Sequence, residues 1–275
     1  MKFMKKLVFP CLALILLLSS CKDEEDKKSY LTFDLYSPEL DITKTIWLYL
    51  PADYQTTEKE YPVVYFQDAQ WVFEKPEGYT QEMHVDENLR ALEKEGFEGV
   101  IVVGIQSNEE TRADEFSLYA NPSLRAGGKG QQYLDFMVRT LKPNIDSLYR
   151  TKKDRSNTAI MGASLGGLAA FYGLTQYPEV FGKAALFSAA LHFNADSVLS
   201  KVSHKLVMED TRIFGVVGKN ELNSEVNFPA DNETLFKALS KYIPSENVNF
   251  TIHEDGEHKI WFWEREFPSA VLFLF

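Results

Sequence analysis

Thiols are almost absent: among 275 residues only Cys11 and Cys21 are cysteines, both ahead of residue 22. The rest of the chain therefore has no disulfide framework, no thiolate metal site and no cysteine nucleophile. Positive charge is also scarce, with 29 Lys and Arg against 40 Asp and Glu and a formal net charge of −11. Such a surface repels nucleic acid and anionic lipid, so neither is expected as a partner through charge. No apolar run is long enough to span a bilayer. The longest, Leu7 to Leu18, is interrupted by Pro10 and falls well short of the roughly 20 residues a spanning helix needs. From Tyr30 onward there is no repeat, no low-complexity stretch and no linker, so residues 29–275 are expected to form one domain. A domain of that size buries roughly three quarters of the surface its unfolded chain exposes and needs no staples.

What is present begins at the N-terminus. Lys2, Lys5 and Lys6 precede the apolar run, and Leu18-Ser19-Ser20-Cys21 follows it. Basic residues, a short apolar stretch and small residues make a secretory signal. The four-residue end resembles a bacterial lipoprotein box, which implies that residues 1–20 are a signal peptide and Cys21 carries lipid. Lys-Asp-Glu-Glu-Asp-Lys-Lys then makes residues 21–28 a charged tether that cannot pack. Loss of the signal removes three lysines and no acid, leaving a net charge of about −14. The expected location is outside the cell, held to the outer membrane by acyl chains. A lysine and acids directly after the cysteine also resemble a surface-export signal.

The domain opens with two alternating runs, Leu31 to Tyr36 and Thr43 to Leu50, which read as strands. Tyr61 to Phe66 and Gly99 to Gly104 are continuous apolar runs suited to buried central strands. Residues 84–95 have helical spacing, with Leu89 and Leu92 on one face. A long polar loop is expected over 106–127. A single helix is expected over 129–149, with Tyr133, Phe136, Met137 and Leu141 inward. Thr158–Met161, Ala184–Phe187, Thr211–Val217 and Val248–His253 complete the strands, with helices over 165–176 and near 231–242 and 259–273. Strands alternating with helices predict an α/β fold, a mainly parallel central sheet covered on both faces.

Chemistry concentrates in Gly162-Ala163-Ser164-Leu165-Gly166-Gly167. G-x-S-x-G between a strand and a helix puts a serine on a tight turn, with its hydroxyl exposed above the sheet. The Leu165 N–H, at the positive end of the following helix, is placed to meet a developing oxyanion. A serine nucleophile needs a base, and the histidines are His84, His192, His204, His253 and His258. In chain order of nucleophile, acid and histidine, His258 fits best, because it follows the last strand and precedes the last helix. His253 is second, within the strand. The acid is expected after the strand 211–217, where Glu221 comes first and Glu225 and Asp231 are alternatives. A second oxyanion donor is expected after the strand at 62–66, from the backbone N–H of Gln70 or of Ala69, while Asp68 forms the turn.

Together these residues resemble the “putative esterase” family of α/β-hydrolases, which holds S-formylglutathione hydrolases, feruloyl and acetylxylan esterases, siderophore trilactone esterases and mycolyltransferases. The resemblance rests on W-L-Y-L-P-A-D-Y at 47–54, Y-P-V-V-Y-F-Q-D-A-Q at 61–70 and V-V-G-I at 102–105. It continues in M-G-A-S-L-G-G-L-A-A at 161–170 and G-E-H-K-I-W-F-W at 256–263. It implies an α/β-hydrolase fold, a serine carboxylic ester hydrolase acting through an acyl-enzyme, and no metal or organic cofactor. Relatives often have Asp-Gly-Gln where this chain has Asp68-Ala69-Gln70, and alanine resists positive φ, so this turn is expected to differ. The substrate expected first is an ester decoration of a polysaccharide, acetyl or feruloyl. A ferric siderophore trilactone is second, and a hydrolase shell that only binds is the reading from another class. Trp71, Phe73, Trp261 and Trp263 either stack on a sugar or aromatic acyl group or belong to the core.

Overall fold

The computed structural model describes residues 28–78, 80–202, 210–222 and 226–275. Strands β1 (Tyr30–Ser37) and β2 (Ile42–Tyr49) form a hairpin, and β3 (Val63–Gln67) runs straight into a short helix α1 (Ala69–Val72). Helix α2 (Val85–Lys94) leads to β4 (Ile101–Ile105). Helix α3 (Arg112–Phe116) and a two-stranded ribbon, β5 (Ala120–Asn121) and β6 (Ala126–Gly127), occupy the segment expected to be loop. Helix α4 (Gly130–Asp135) passes through a π-helical turn, Phe136–Leu141, into α5 (Lys142–Leu148). After β7 (Thr158–Ala163) and α6 (Leu165–Gln176) come β8 (Lys183–Phe187), α7 (Ala195–Ser200) and β9 (Arg212–Gly218). Helix α8 (Phe228–Leu239), β10 (Val248–His253) and α9 (Ile260–Leu274) end the chain.

Eight strands make one sheet in the order β1-β2-β4-β3-β7-β8-β9-β10. β1 and β2 are antiparallel, β2 meets β4 antiparallel, and the six strands from β4 to β10 are parallel. β7 lies at the centre. Its six residues are all buried, because both faces are covered and an apolar run is what such a position requires. Along β3 the alternation of a strand sends Val63 and Tyr65 into one core and Val64 and Phe66 into the other. The first core lies under α4, α5, α6 and α8, and the second under α2 and α9.

Two expectations are corrected here. The single helix over 129–149 contains the π turn, although its four predicted inward residues are all buried. Pro143 supplies a physical reason: it has no N–H for the carbonyl four residues back, and its ring crowds that turn, which widens to accommodate it. The segment 106–127 holds α3 and the β5–β6 ribbon, elements of five and two residues that are too short to show a sequence period. Among the described residues no helix is long and apolar enough to cross a membrane.

Ile160 sits in β7 with no exposure, against α6. Ile160→Ala is expected to cost about 2–5 kcal/mol of unfolding free energy. Leu148→Ala, at a side chain that is 63% exposed, should stay within about 0.5 kcal/mol. Urea unfolding of the two variants checks both.

Candidate active site

Ser164 stands between β7 and α6 with φ 57° and ψ −121°, a conformation non-glycine residues rarely take. The turn is held from outside. Its N–H donates to the Phe187 carbonyl at 2.9 Å, and its own carbonyl accepts from Leu168 at 3.2 Å and Ala190 at 2.9 Å. Gly162 makes the reversal possible, since a Cβ there would lie 2.4 Å from the backbone of Gly166. The strain of the serine is thus over-determined by strand, helix and the loop after β8.

The partners arrive on two loops that touch through glycine. A Cβ on Gly218 would meet the Gly256 carbonyl oxygen at 2.1 Å, and one on Gly256 would come within 2.6 Å of the Gly218 Cα. The Lys219 N–H also donates to the His253 carbonyl at 2.8 Å. This contact fastens the loop after β9 to the loop after β10 and brings Glu221 beside His258. His258 Nδ1 lies 2.8 Å from Glu221 Oε2, and His258 Nε2 lies 3.0 Å from Ser164 Oγ. An ionised carboxylate only accepts, so Nδ1 carries the proton and Nε2 is left to accept from the serine hydroxyl.

Glu221 has no side-chain exposure, whereas His258 is about one-third exposed. Hydrogen bonds replace the water the carboxylate has lost. Its Oε1 accepts from the Gly218 N–H at 2.7 Å and from the Ser188 hydroxyl at 2.8 Å. Ser188, itself fully buried with φ 46°, accepts in turn from the Trp263 indole N–H at 2.9 Å. The His258 ring is packed between Phe228, centroids 4.4 Å apart, and the edge of Trp263 at 5.0 Å. Position, tautomer and tilt of the imidazole are all set by neighbours.

The other candidates stand elsewhere. His253 approaches Glu266 at 3.3 Å, and His84 pairs with Glu264 at 2.9 Å. Asp231 lies in α8 near His192: burial pushes its carboxyl up, and burial pushes the His192 imidazole down. Cys21, Glu225 and His204 lie outside the described residues. Leu165 begins α6 and Gln70 is the second residue of α1, while Ala69 is the first. The side chain of Gln70 is spent on Ser107, donating from Nε2 at 2.8 Å and accepting at Oε1 from the Ser107 N–H at 3.2 Å. The expected strain at Ala69 is corrected: the positive φ, 62°, belongs to Asp68, and Ala69 is already helical. Asp68 is a residue that tolerates this region better than alanine. Its carboxylate takes two hydrogen bonds from Arg112, each 2.8 Å, and one from the Ser107 hydroxyl at 2.6 Å.

The Esterase family model, described as “Putative esterase”, matches residues 37–274. The chain belongs to this family. A Bacillus subtilis (strain 168) protein, YbbA, is 27% identical over 179 residues, which are 63% of this chain and 67% of the relative. A ferulic acid esterase structure aligns with a TM-score of 0.68 and 21% identity over 89% of this chain and 97% of that one. The enterobactin esterase FES from Shigella flexneri aligns with a TM-score of 0.72 and 20% identity, over 89% of this chain and 58% of that one. At these identities the structures establish the fold, which is that of an α/β-hydrolase, and the family makes the chain a carboxylic ester hydrolase.

In this esterase Ser164 and His258 open onto a cavity of about 250 Å³ walled by Phe66, Trp71, Val72, Met83, Ile260 and Trp263. Gln67, Asp68 and Arg112 supply its polar side. Gln67 is 1% exposed; its Oε1 accepts from the Tyr133 hydroxyl, while its Nε2 has no partner among the described residues. Burial holds the Tyr133 phenol well above its ordinary range, which keeps it a donor. Of the four aromatics singled out in the sequence, Trp71 and Trp263 line the cavity. Phe73 packs on Tyr30 and Trp47, and Trp261 lies under Arg265. Sequence reasoning missed Ser188, Phe228, Gln67 and Arg112. Gln67, a polar residue ending an apolar strand, was the one legible signal among them.

Ser188→Ala leaves the Trp263 indole N–H without its acceptor and Glu221 with one donor fewer. It is expected to cost about 1–3 kcal/mol of stability, read by chemical denaturation against wild type.

Proposed function

We propose that this esterase hydrolyses esters of aromatic acids, in particular feruloyl decorations of polysaccharides, through an acyl-enzyme on Ser164. The observation that carries the reading is the chain of hydrogen bonds from Glu221 through His258 to Ser164, 2.8 and 3.0 Å long, at the mouth of an aromatic cavity. In the first step His258 Nε2 takes the serine proton while Oγ attacks the ester carbonyl. The oxyanion rests on the backbone N–H groups of Leu165 and Gln70. Collapse breaks the bond to the alcohol oxygen, which takes its proton from His258. Water then gives a proton to His258 as its oxygen bonds to the acyl carbon, and collapse breaks the bond to Ser164 Oγ, which takes that proton back and frees the acid. Glu221 holds the imidazole tautomer and balances the imidazolium.

The size of the cavity supports the feruloyl reading over the acetyl one. About 250 Å³ lined by two tryptophans, Phe66 and Met83 is far more apolar space than a two-carbon acetyl group fills. His258 also borders a second groove of about 530 Å³, where Asn220, Glu257 and Lys259 offer hydrogen bonds and Leu222 and Phe228 an apolar face, a mixed lining that suits a sugar alcohol as leaving group. A ferric siderophore lactone is the second reading. The Arg112 and Lys259 cations on the cavity wall favour it, although Arg112 is matched by Asp68 and Lys259 by Glu257.

Turnover of methyl ferulate, acetylated xylan and a siderophore trilactone ranks the readings, with methyl ferulate expected to give the highest kcat/KM. Ser164→Ala is expected to lower kcat by about 10⁴ or more, and Glu221→Gln by about 10⁴ or less. A Ser164→Ala protein with undiminished turnover contradicts the proposal, and a chain that binds the ester without releasing acid supports the binding-shell alternative.

We further propose that the enzyme is exported and anchored to the outer membrane through lipid on Cys21, a reading supported by the apolar run and the box at residues 18–21. Metabolic labelling with radioactive palmitate should mark the wild-type chain and spare Cys21→Ala. Equal labelling of both rejects the anchor.

A further inference from the structure

At the opposite end of the sheet from Ser164, the N-terminal ends of the parallel strands frame a groove of about 500 Å³. That volume lies within the range of about 300–1,000 Å³ usual for small-molecule sites. Lys183, the first residue of β8, lies on its wall and is only 9% exposed. Among the described residues no carboxylate comes within ion-pairing distance of its ammonium, and its nearest partner is the face of the Phe275 ring, 4.2 Å from Nζ. Its direct neighbour across the strand pair is Arg212, a like charge. A buried ammonium opposite another cation is destabilising unless an anion balances it.

The groove says which anion. Tyr61, Leu92, Phe97 and Phe275 give it an apolar wall. Glu60, Glu95 and Glu98 stand at its exposed side, so a doubly charged headgroup meets about twice the repulsion that a single charge does. We propose that this groove binds a monocarboxylate with an aromatic body, its carboxylate on Lys183 and its ring against Phe275, Phe97 and Tyr61. The site is separate from the catalytic residues, and nothing in it depends on the ester chemistry.

The charge state of Lys183 sets the pH range. Burial pushes its ammonium down to about 8, with Arg212 and Lys152 adding to the effect and Asp154 opposing it. Of the other cations of the groove, Lys59 is already paired with Asp53 at 3.0 Å, and Lys152 lies half-buried on the same wall. The carboxylate needs protonated Lys183, so affinity is expected to be constant between about pH 5, above the ligand's own carboxyl titration, and pH 7, and to fall about tenfold per unit well above pH 8.

The test uses 4-fluorobenzoate, followed by ¹⁹F NMR on the full protein, beside 4-fluorobenzyl alcohol as the neutral analogue and 4-fluorobenzyl phosphate as the dianion. The carboxylate is expected to bind at least tenfold tighter than either analogue. Lys183→Met should weaken it at least tenfold, while melting no lower than wild type and keeping wild-type ester turnover. A residue-specific readout accompanies this: cyanate carbamoylates neutral amines, and peptide mass spectrometry reports each lysine. Lys183 should be protected by 4-fluorobenzoate and Lys237 should not. Unchanged affinity in Lys183→Met, or equal carbamoylation of Lys183 with and without the carboxylate, overturns the proposal. Tighter binding of the phosphate or the alcohol overturns the ligand class assigned. Loss of esterase activity in Ser164→Ala bears only on the catalytic reading, so the two can fail independently.

Discussion

A carboxylate buried as completely as that of Glu221 is unfavourable by several kcal/mol unless hydrogen bonds replace the water it gives up. Three donors do so here: a backbone N–H from its own loop, the Ser188 hydroxyl from the loop after β8, and His258 from the loop after β10. Each comes from the C-terminal end of a different parallel strand or the turn that follows it. The strands must therefore be in register for the charge to be tolerated. In the reverse direction, the buried charge fixes the imidazole that faces Ser164. Sheet, acid and base are one mechanical unit.

The same logic explains the backbone strain gathered at this end of the sheet. Ser164, Ser188 and Asp68 all have positive φ without being glycine. All three stand at the C-terminal ends of the strands, where ligands of open α/β sheets bind. Their conformations are held by tertiary hydrogen bonds: Ser164 to Phe187 and Ala190, Ser188 to Val216, and Asp68 to Arg112 and Ser107. Trp263 joins this network to the cavity, since one indole donates to Ser188, presents its edge to His258 and walls the apolar space.

Much of this was legible in the chain. Leu165–Gln176 and Val248–His253 are helix and strand over the residues their patterns mark, the first a long apolar run after the glycine turn and the second a strict apolar–polar alternation at the sheet edge. Ser164, Glu221 and His258, chosen by motif and chain order, form one chain in which His258 lies within hydrogen-bonding distance of both others. What was not legible depends on contacts between distant segments. Nothing around Ser188 announces a second donor for a glutamate 33 positions later. The Gly218–Gly256 approach appears only once two loops meet. Helix α3 and the β5–β6 ribbon are too short to carry a period, and the strain expected at Ala69 fell one residue earlier because Asp68 takes the left-handed position itself.

The central claim, that Ser164 carries the acyl group during turnover, is tested most directly by trapping that species. Rapid acid quench during hydrolysis of a p-nitrophenyl aryl ester, followed by peptide mass spectrometry, should find the acyl mass on the peptide containing Ser164 and on no other. Turnover without an adduct at Ser164, or with the acyl group on a different residue, contradicts the account.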